Sequence, residues 1–374
     1  MLLCANPLAQ FLSMQDEIES AVLKALRSGS YILGNELLKL EKSFANYIDV
    51  EHCIGVANGT DALEIALLSL DIGPGDEVIT VSHTAVATIS AIKSTGATPV
   101  LVDIDPEYFT MDPSQLTSVL NDKTKAIIAV HLYGMSVDLD AIQNFCKQNR
   151  IFLIEDVAQA HGALWNGRKL GSFGDVACFS CYPTKNLGAI GDAGLITVKN
   201  SEIAKKIRGL REYGWASKRN FSEYFGRNSR LDEIQAAILN IKLKYLDKTN
   251  ASRKSLADNY INRLKTIKSV ITPKCRKGSD HVYHLFVVKC SKRDELISYL
   301  NKNGIVAGIH YPTPVHLQLG FKGKIKTSPL GLKNTENIAK EIISLPLYPE
   351  MTSLELDKVI KTIALFDKKI KNIK

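Results

Sequence analysis

The chain has 374 residues, of which 45% are hydrophobic and 23% charged, and a formal net charge of +8. That composition excludes disordered, collagen-like and disulfide-scaffold chains, and the length allows two lobes rather than one. The opening stretch "MLLCANPLAQFLSMQDEIES" has no basic leader region, and no apolar run approaches the roughly 20 residues that span a bilayer, so a cytoplasmic protein with no membrane contact is expected.

"DEIESAVLKALRSG" carries apolar residues at helical spacing and stops at Gly29, and "NELLKLEKSFANYI" repeats the pattern. From "IGVA" the chain alternates strand and helix through "DALEIALLSL", "EVITV", "AVATISAIKSTG" and "TPVLVDI". The alternation continues with "AIIAVHLYG", "LDAIQNFCKQNR", "IFLIEDVAQAHG", "DVACFSCY" and "GLITV". The strands are short continuous apolar runs, as expected of a parallel sheet covered by helices on both faces. From about Ser201 the texture becomes helical, and strands return only at "YHLFVVKC" and "IVAGIHY". The expected division is therefore a large α/β domain over residues 1–240 and a smaller α+β domain over 241–374. Lysines concentrate in the last third, as in "NIKLKYLDK" and "TIALFDKKIKNIK", and read as a solvated basic face. No recognition motif accompanies them, so no nucleic-acid partner is expected.

Fingerprints of nucleotide-binding sheets are missing, since no G-x-G-x-x-G follows the first strand and no G-x-x-x-x-G-K-[ST] occurs. Cys178 and Cys181 form a C-x-x-C without a second pair, so buried free thiols fit better than zinc or a redox couple. "VANGTDALEIAL" places Gly59 and Thr60 where a strand hands over to a helix, an anion site at the positive end of the helix dipole. A plain N-cap by Thr60 or Asp61 is the competing reading. "IFLIEDVAQAHG" runs a buried strand into two carboxylates, Glu155 and Asp156, and one acid at the carboxyl end of such a strand would point into the ligand crevice of the sheet. An ion pair of Asp156 with His161 is the structural alternative, and a metal site of Glu155, Asp156 and His161 lacks ligand spacing on one face. Beyond the next strand, Lys185 sits in the glycine-bracketed loop of "CFSCYPTKNLGAIGDAG", with Ser180 before it. An amine for a Schiff base, a carboxylate for a pyridine nitrogen and donors for a phosphate form one chemical set. Lys185, Asp156, and Thr60 with Ser180 would be its members. No member is specific alone, but their order and spacing are.

With these residues the sequence resembles the DegT family of sugar-nucleotide aminotransferases. The resemblance runs through "SGSYILGNELLKLEKSFANYI", "GVANGTDALEIALLSLDIGPGDEVI", "VHLYGMSVDLDAI", "EDVAQAHGALWNGRKLGSFGDVACFS", "PTKNLGAIGDAG", "GRNSRLDEIQAAIL" and "SLPLYPEMT". It implies an α/β, aspartate-aminotransferase-like fold (fold type I), with a large mostly parallel sheet domain and a smaller α+β C-terminal domain. It also implies pyridoxal 5'-phosphate (PLP) as cofactor and a homodimer with shared active sites. Lys185 would bind PLP covalently and act as the general base, and Asp156 would pair with the pyridinium nitrogen. Gln159 would lie by the cofactor's 3-hydroxyl, and Gly59, Thr60 and Ser180 would hold the phosphate, joined by Asn228 from the second subunit. Relatives carry a ring-stacking aromatic at the position of Ala85, and His83 is the candidate to supply that face. Tyr182, Asp192, His310, Tyr311 and His316 would line the sugar side.

A nucleotide-sugar substrate and L-glutamate as amino donor follow from the same likeness. "PTKNLGAIGDAG", "SHTAVAT" and "VAQAHGA" resemble the members that aminate C3 of a dTDP-linked 3-oxo-6-deoxyhexose. A C4-aminotransferase and a non-enzymatic PLP-binding regulator are the alternatives. Family dehydratases replace the lysine with histidine, so Lys185 favours transamination.

Overall fold

The computed structural model describes residues 1–215 and 220–371. The apolar runs become strands β1 (His52–Val56), β2 (Glu77–Val81), β3 (Thr98–Val102), β4 (Thr124–Val130) and β5 (Phe152–Asp156). After two short pairs, β6 (Leu164–Trp165) and β7 (Arg168–Lys169), come β8 (Val176–Ser180) and β9 (Gly194–Val198). The later strands are β10 (Ser279–Asp280), β11 (Phe286–Lys289), β12 (Lys326–Thr327) and β13 (Ile342–Leu345). The main sheet has the order β1-β9-β8-β5-β4-β2-β3-β12. Its centre is parallel, while β9 runs antiparallel to both β1 and β8.

The helices are α1 (Pro7–Leu12), α2 (Gln15–Arg27), α3 (Asn35–Ile48), α4 (Gly59–Ser69), α5 (Val86–Ser94), α6 (Leu139–Asn149), α7 (Ser201–Leu210), α8 (Glu233–Leu264), α9 (Arg293–Lys302), α10 (Lys333–Glu341) and α11 (Ser353–Lys371). Every residue of β2 is buried, and α4 is apolar almost all round because it packs between the sheet and its neighbouring helices. One apolar core gathers Phe44, Ile54, Ile65, Val78, Ile127, Ile154 and Phe179 around this sheet. A second joins Leu2 to Tyr260, Phe286, Val288, Ile343, Val359 and Ile363. The long α8 feeds both, with Leu239 and Leu246 in the first and Tyr260 and Leu264 in the second.

Residues 305–311 were expected to form a strand and instead make only isolated bridges, Leu2 to Ile305 and Gly308 to Ser344. The partner of β11 is β13, which is buried at all four positions and paired along its whole length. Gly308, which weakens any strand through backbone entropy, lies inside the segment that failed to form one. The basic C-terminal segment is amphipathic: α11 buries Leu356, Val359, Ile363 and Phe366 and collects Lys368, Lys369 and Lys371 in its last turn, complementing the helix dipole. The last three residues of "TIALFDKKIKNIK" lie outside the described residues.

Asp156 ends β5, Ser180 ends β8 and Gly59 opens α4 just beyond β1. These three strands run in the same direction, so the three residues emerge at one edge of the sheet, at the carboxyl ends where α/β folds bind ligands.

Candidate active site

A cavity of about 540 Å³ opens at that edge, lined among others by Gly59, Thr60, Asp156, Ser180, Lys185 and Asp192. Lys185 is carried by the connection between β8 and β9, which is folded tightly on itself. Its own N–H donates to Tyr182 O at 2.8 Å, and Ala189 N donates to Cys181 O at 2.8 Å. A cation closes the loop from behind, as Lys242 on α8 donates to Gly188 O at 2.7 Å and to Gln10 Oε1 at 2.9 Å. Lys185 reaches the cavity, yet the protein packed around it brings its pKa down from the usual 10.5 to about 8 by desolvation, against the opposing pull of Asp156 and Cys181. Its amine is thus far closer to neutral near physiological pH than a surface lysine.

Asp156 is 6% exposed. Burial raises its pKa, while hydrogen bonds from Ala158 and Thr88 and the charges of Lys185 and His131 oppose the rise. The Ala158 N–H reaches Oδ1 at 3.2 Å, and the Thr88 hydroxyl reaches Oδ2 at 3.1 Å. The ion pair with His161 does not form, because both ring nitrogens of His161 are buried without a hydrogen-bond partner. Burial drives His161 down to about 3, so it is neutral. Glu155 points away into the structure, accepting from Gly171, Phe173 and Gly174 N–H groups and pairing with His131 Nε2 at 3.2 Å. Among the described residues no cluster of three His, Cys, Asp or Glu side chains could hold a metal. All seven cysteines are free, Cys178 and Cys181 buried among them.

The anion cup comes from the first turn of α4. Asn58 caps this helix, its side chain accepting from Asp61 N at 2.8 Å, so neither Thr60 nor Asp61 is the N-cap. Asp61 is instead held by the Ser229 hydroxyl at 2.6 Å, and that hydroxyl also accepts from Ala57 N. Gly59 is required by close packing, since a Cβ there would lie 2.5 Å from Ser180 Cβ. Gly194 serves the same approach from β9, where a Cβ would meet Asn58 O at 2.4 Å. Gly59 and Thr60 of this turn and Ser180 at the end of β8 all line the cavity.

The remaining candidates divide. Tyr182 and Asp192 line the cavity, and so does Ala85. His83 lies outside the lining; it is 2% exposed, stands edge-on to Tyr133 and reaches the Tyr133 hydroxyl at 2.8 Å. That hydroxyl also donates to His310 O. Desolvation lowers His83 to about 4. Gln159 accepts from Tyr133 N at 2.8 Å and donates to the Tyr311 hydroxyl at 3.1 Å. His310 Nδ1 meets Ser344 Oγ at 2.8 Å, and His316 Nδ1 meets Ser82 Oγ at 2.7 Å. Asn228 is exposed and outside this cavity, bridged through its backbone to Glu212. Thr88, Ser229, Lys242 and Asn250 were not found by sequence reading. Only the four-residue spacing of Thr84 and Thr88 left a trace in "SHTAVAT".

The donor set suits a phosphorylated pyridine aldehyde. An amine of depressed pKa, a buried carboxylate held by two donors, and a seat lined by Gly59, Thr60 and Ser180 surround one cavity of adequate size. The arrangement can bind such a group covalently, hold a proton on a ring nitrogen and move a proton at Lys185 Nζ.

The sequence model of the DegT/DnrJ/EryC1/StrS aminotransferase family matches residues 12–364. The dTDP-3-amino-3,6-dideoxy-alpha-D-galactopyranose transaminase of Aneurinibacillus thermoaerophilus is 44% identical, over 93% of this chain and 95% of its own. A UDP-N-acetyl-3-dehydro-alpha-D-glucosamine 3-aminotransferase of Acidithiobacillus ferrooxidans is 39% identical, over 95% of both chains. The crystal structure of Streptomyces venezuelae DesV superposes with a TM-score of 0.94 at 39% identity, covering 98% of each chain. The fold is that of these enzymes, the aspartate-aminotransferase-like fold type I, as expected from the sequence.

Proposed function

The chain belongs to the DegT/DnrJ/EryC1/StrS family of PLP-dependent sugar aminotransferases, and from that membership we propose that it transfers an amino group from L-glutamate to C3 of a dTDP-linked 3-oxo-6-deoxyhexose. The observation that carries the reading is the convergence of Lys185, Asp156, Gly59, Thr60 and Ser180 on one cavity. Support for C3 and for dTDP comes from the named activity of the relative that is 44% identical. The UDP-linked activity of another at 39% makes the carrier nucleotide the first thing to test.

When bound, PLP supplies an electron sink that makes a carbon next to its amine acidic. In this proposal Lys185 would bind the cofactor covalently until the donor's amine takes its place there, and the released Nζ, a free amine with a pKa of about 8, would take a proton from the donor's α-carbon and return one to the sugar carbon. Asp156 holds the proton on the ring nitrogen. Gly59 and the first turn of α4, with Thr60 and Ser180, bind the phosphate through N–H and hydroxyl donors. Gln159, held between Tyr133 and Tyr311, would lie by the ring's 3-hydroxyl. Asp192, Tyr182 and the 310–316 segment with His310, Tyr311 and His316 face the sugar. His83 acts from behind the wall through Tyr133. The site is proposed to be completed in a homodimer by Asn228 of the partner subunit. Among the described residues no helix is long and apolar enough to cross a membrane. The free cysteines suit a reducing cytoplasm.

Incubation with glutamate and a panel of dTDP- and UDP-linked 3-oxo and 4-oxo sugars tests this, with NMR locating the new C–N bond. A C3 amine formed fastest on the dTDP-3-oxo-6-deoxy sugar is expected. A C4 amine, or turnover confined to UDP sugars, contradicts the proposed substrate.

A further inference from the structure

Behind the cavity wall two threonines form a chain that ends on Asp156. Thr84 precedes α5 and Thr88 lies in its first turn, four residues on, while Ala85 and Ala87 between them line the cavity. Both threonines are buried, at 2% and 0% exposure. The Thr88 hydroxyl lies 3.1 Å from Asp156 Oδ2, and the Thr84 hydroxyl lies 2.9 Å from that of Thr88.

The direction of each bond follows from proton counting. An ionised carboxylate only accepts, so Thr88 donates its single hydroxyl proton to Asp156. The Thr88 oxygen then has only lone pairs left for Thr84, so Thr84 is the donor in the second bond. Each hydroxyl polarises the next, and both polarise toward the carboxylate. A helical threonine commonly satisfies its hydroxyl on the carbonyl four residues back. Thr88 instead directs its proton across to the end of β5. Oδ1 has one further protein donor, the Ala158 N–H at 3.2 Å. Each carboxylate oxygen thus keeps a free lone-pair direction, and Asp156 lines the cavity.

We propose that Thr88, oriented by Thr84, is a positioning residue that keeps Asp156 an ionised and fixed acceptor for the ring nitrogen of the cofactor. This rests on the reading of Asp156 as the partner of that nitrogen. A carboxylate that loses a charge-stabilising donor becomes more basic, and in a shared N–H···O pair the proton then moves from the ring nitrogen toward the oxygen. The threonines therefore bias where that proton sits without touching the cofactor.

The test uses the full-length protein loaded with PLP labelled with ¹⁵N in the ring, comparing the wild type with Thr88→Val, Thr88→Ser, Thr84→Val and Asp156→Asn. The expected result is a pyridinium-like ¹⁵N resonance in the wild type and in Thr88→Ser. Thr88→Val moves it toward the neutral-pyridine position, and Thr84→Val moves it the same way by less. A wild-type resonance in Thr88→Val, with Asp156→Asn displaced, overturns the proposal alone. A resonance unmoved even in Asp156→Asn overturns the reading of Asp156 as well. Should Thr88→Val fail to fold, Thr84→Val decides, because its hydroxyl lies one bond further from the carboxylate. An undisplaced resonance there overturns the chain.

Discussion

Asn186, the residue after Lys185, donates its side-chain amide to Asn250 Oδ1 on α8 at 2.8 Å, and both side chains are buried. Asn250 in turn donates to His161 O at 2.8 Å, and His284 Nδ1 donates to Asn186 Oδ1 at 3.1 Å. The lysine loop is thereby tied to the long helix, to the segment after Asp156 and to the strand region near 284. Asn250→Ala removes two buried hydrogen bonds and leaves an Asn186 donor short of a partner. A loss of about 2–4 kcal/mol in unfolding free energy of the apoprotein is expected in chemical denaturation. A loss below about 0.5 kcal/mol would show that the tie is not formed in solution.

Ser180→Ala takes one donor from the proposed phosphate seat. A hydrogen bond to a charged group contributes about 1.5–3 kcal/mol, so PLP affinity measured by equilibrium dialysis falls by roughly tenfold to a hundredfold. Gly59→Ala acts through packing, because its Cβ has Ser180 Cβ at 2.5 Å and Ser180 Cα at 3.0 Å. It both weakens PLP binding and lowers stability by about 1–3 kcal/mol, whereas Ser180→Ala leaves stability nearly unchanged.

The depressed pKa of Lys185 sets the pH at which the apoprotein captures PLP. Only the neutral amine attacks a carbonyl, and its fraction rises as pH passes the folded value of about 8 rather than 10.5. The rate of cofactor capture, followed by absorbance, is expected to climb with pH and reach half its maximum near 8. The sign for stability runs the same way. The folded value lies below the unfolded one, so the cost of burying the charged amine is present below pH 8 and is relieved as pH rises toward 10.5. A capture profile that rises only near pH 10 would place Lys185 in a solvated setting.

Lys185→Ala removes the covalent attachment and the general base together. Turnover with glutamate and keto-sugar is expected to fall by at least about 10²–10⁴-fold, the usual worth of a positioned base. Far-UV circular dichroism of the variant should match the wild type.

The central strands and the residues at their ends were legible because burial on both faces writes continuous apolar runs into the sequence, and Asp156 and Ser180 close two of them. Family likeness then supplied the roles that spacing alone left open. What escaped was long-range: Lys242 behind Gly188, Asn250 against Asn186 and Thr88 against Asp156 join residues on different elements, and no local pattern encodes such a pairing. The strand expected at 305–311 was lost for a related reason. Its apolar texture is genuine, with Ile305 fully buried, but the sheet partner of β11 is β13, and tertiary packing decides between two equally apolar candidates. His83 shows the converse, a motif residue whose placement beside Tyr133 no sequence pattern announced.

The claim on which the account depends is that Lys185 carries the cofactor. Borohydride reduction of the PLP-loaded protein, proteolysis and mass spectrometry read this directly. The account predicts the visible band lost on reduction and a phosphopyridoxyl group fixed on the peptide containing Lys185. An unmodified Lys185, or the group on another lysine such as Lys242, would contradict it.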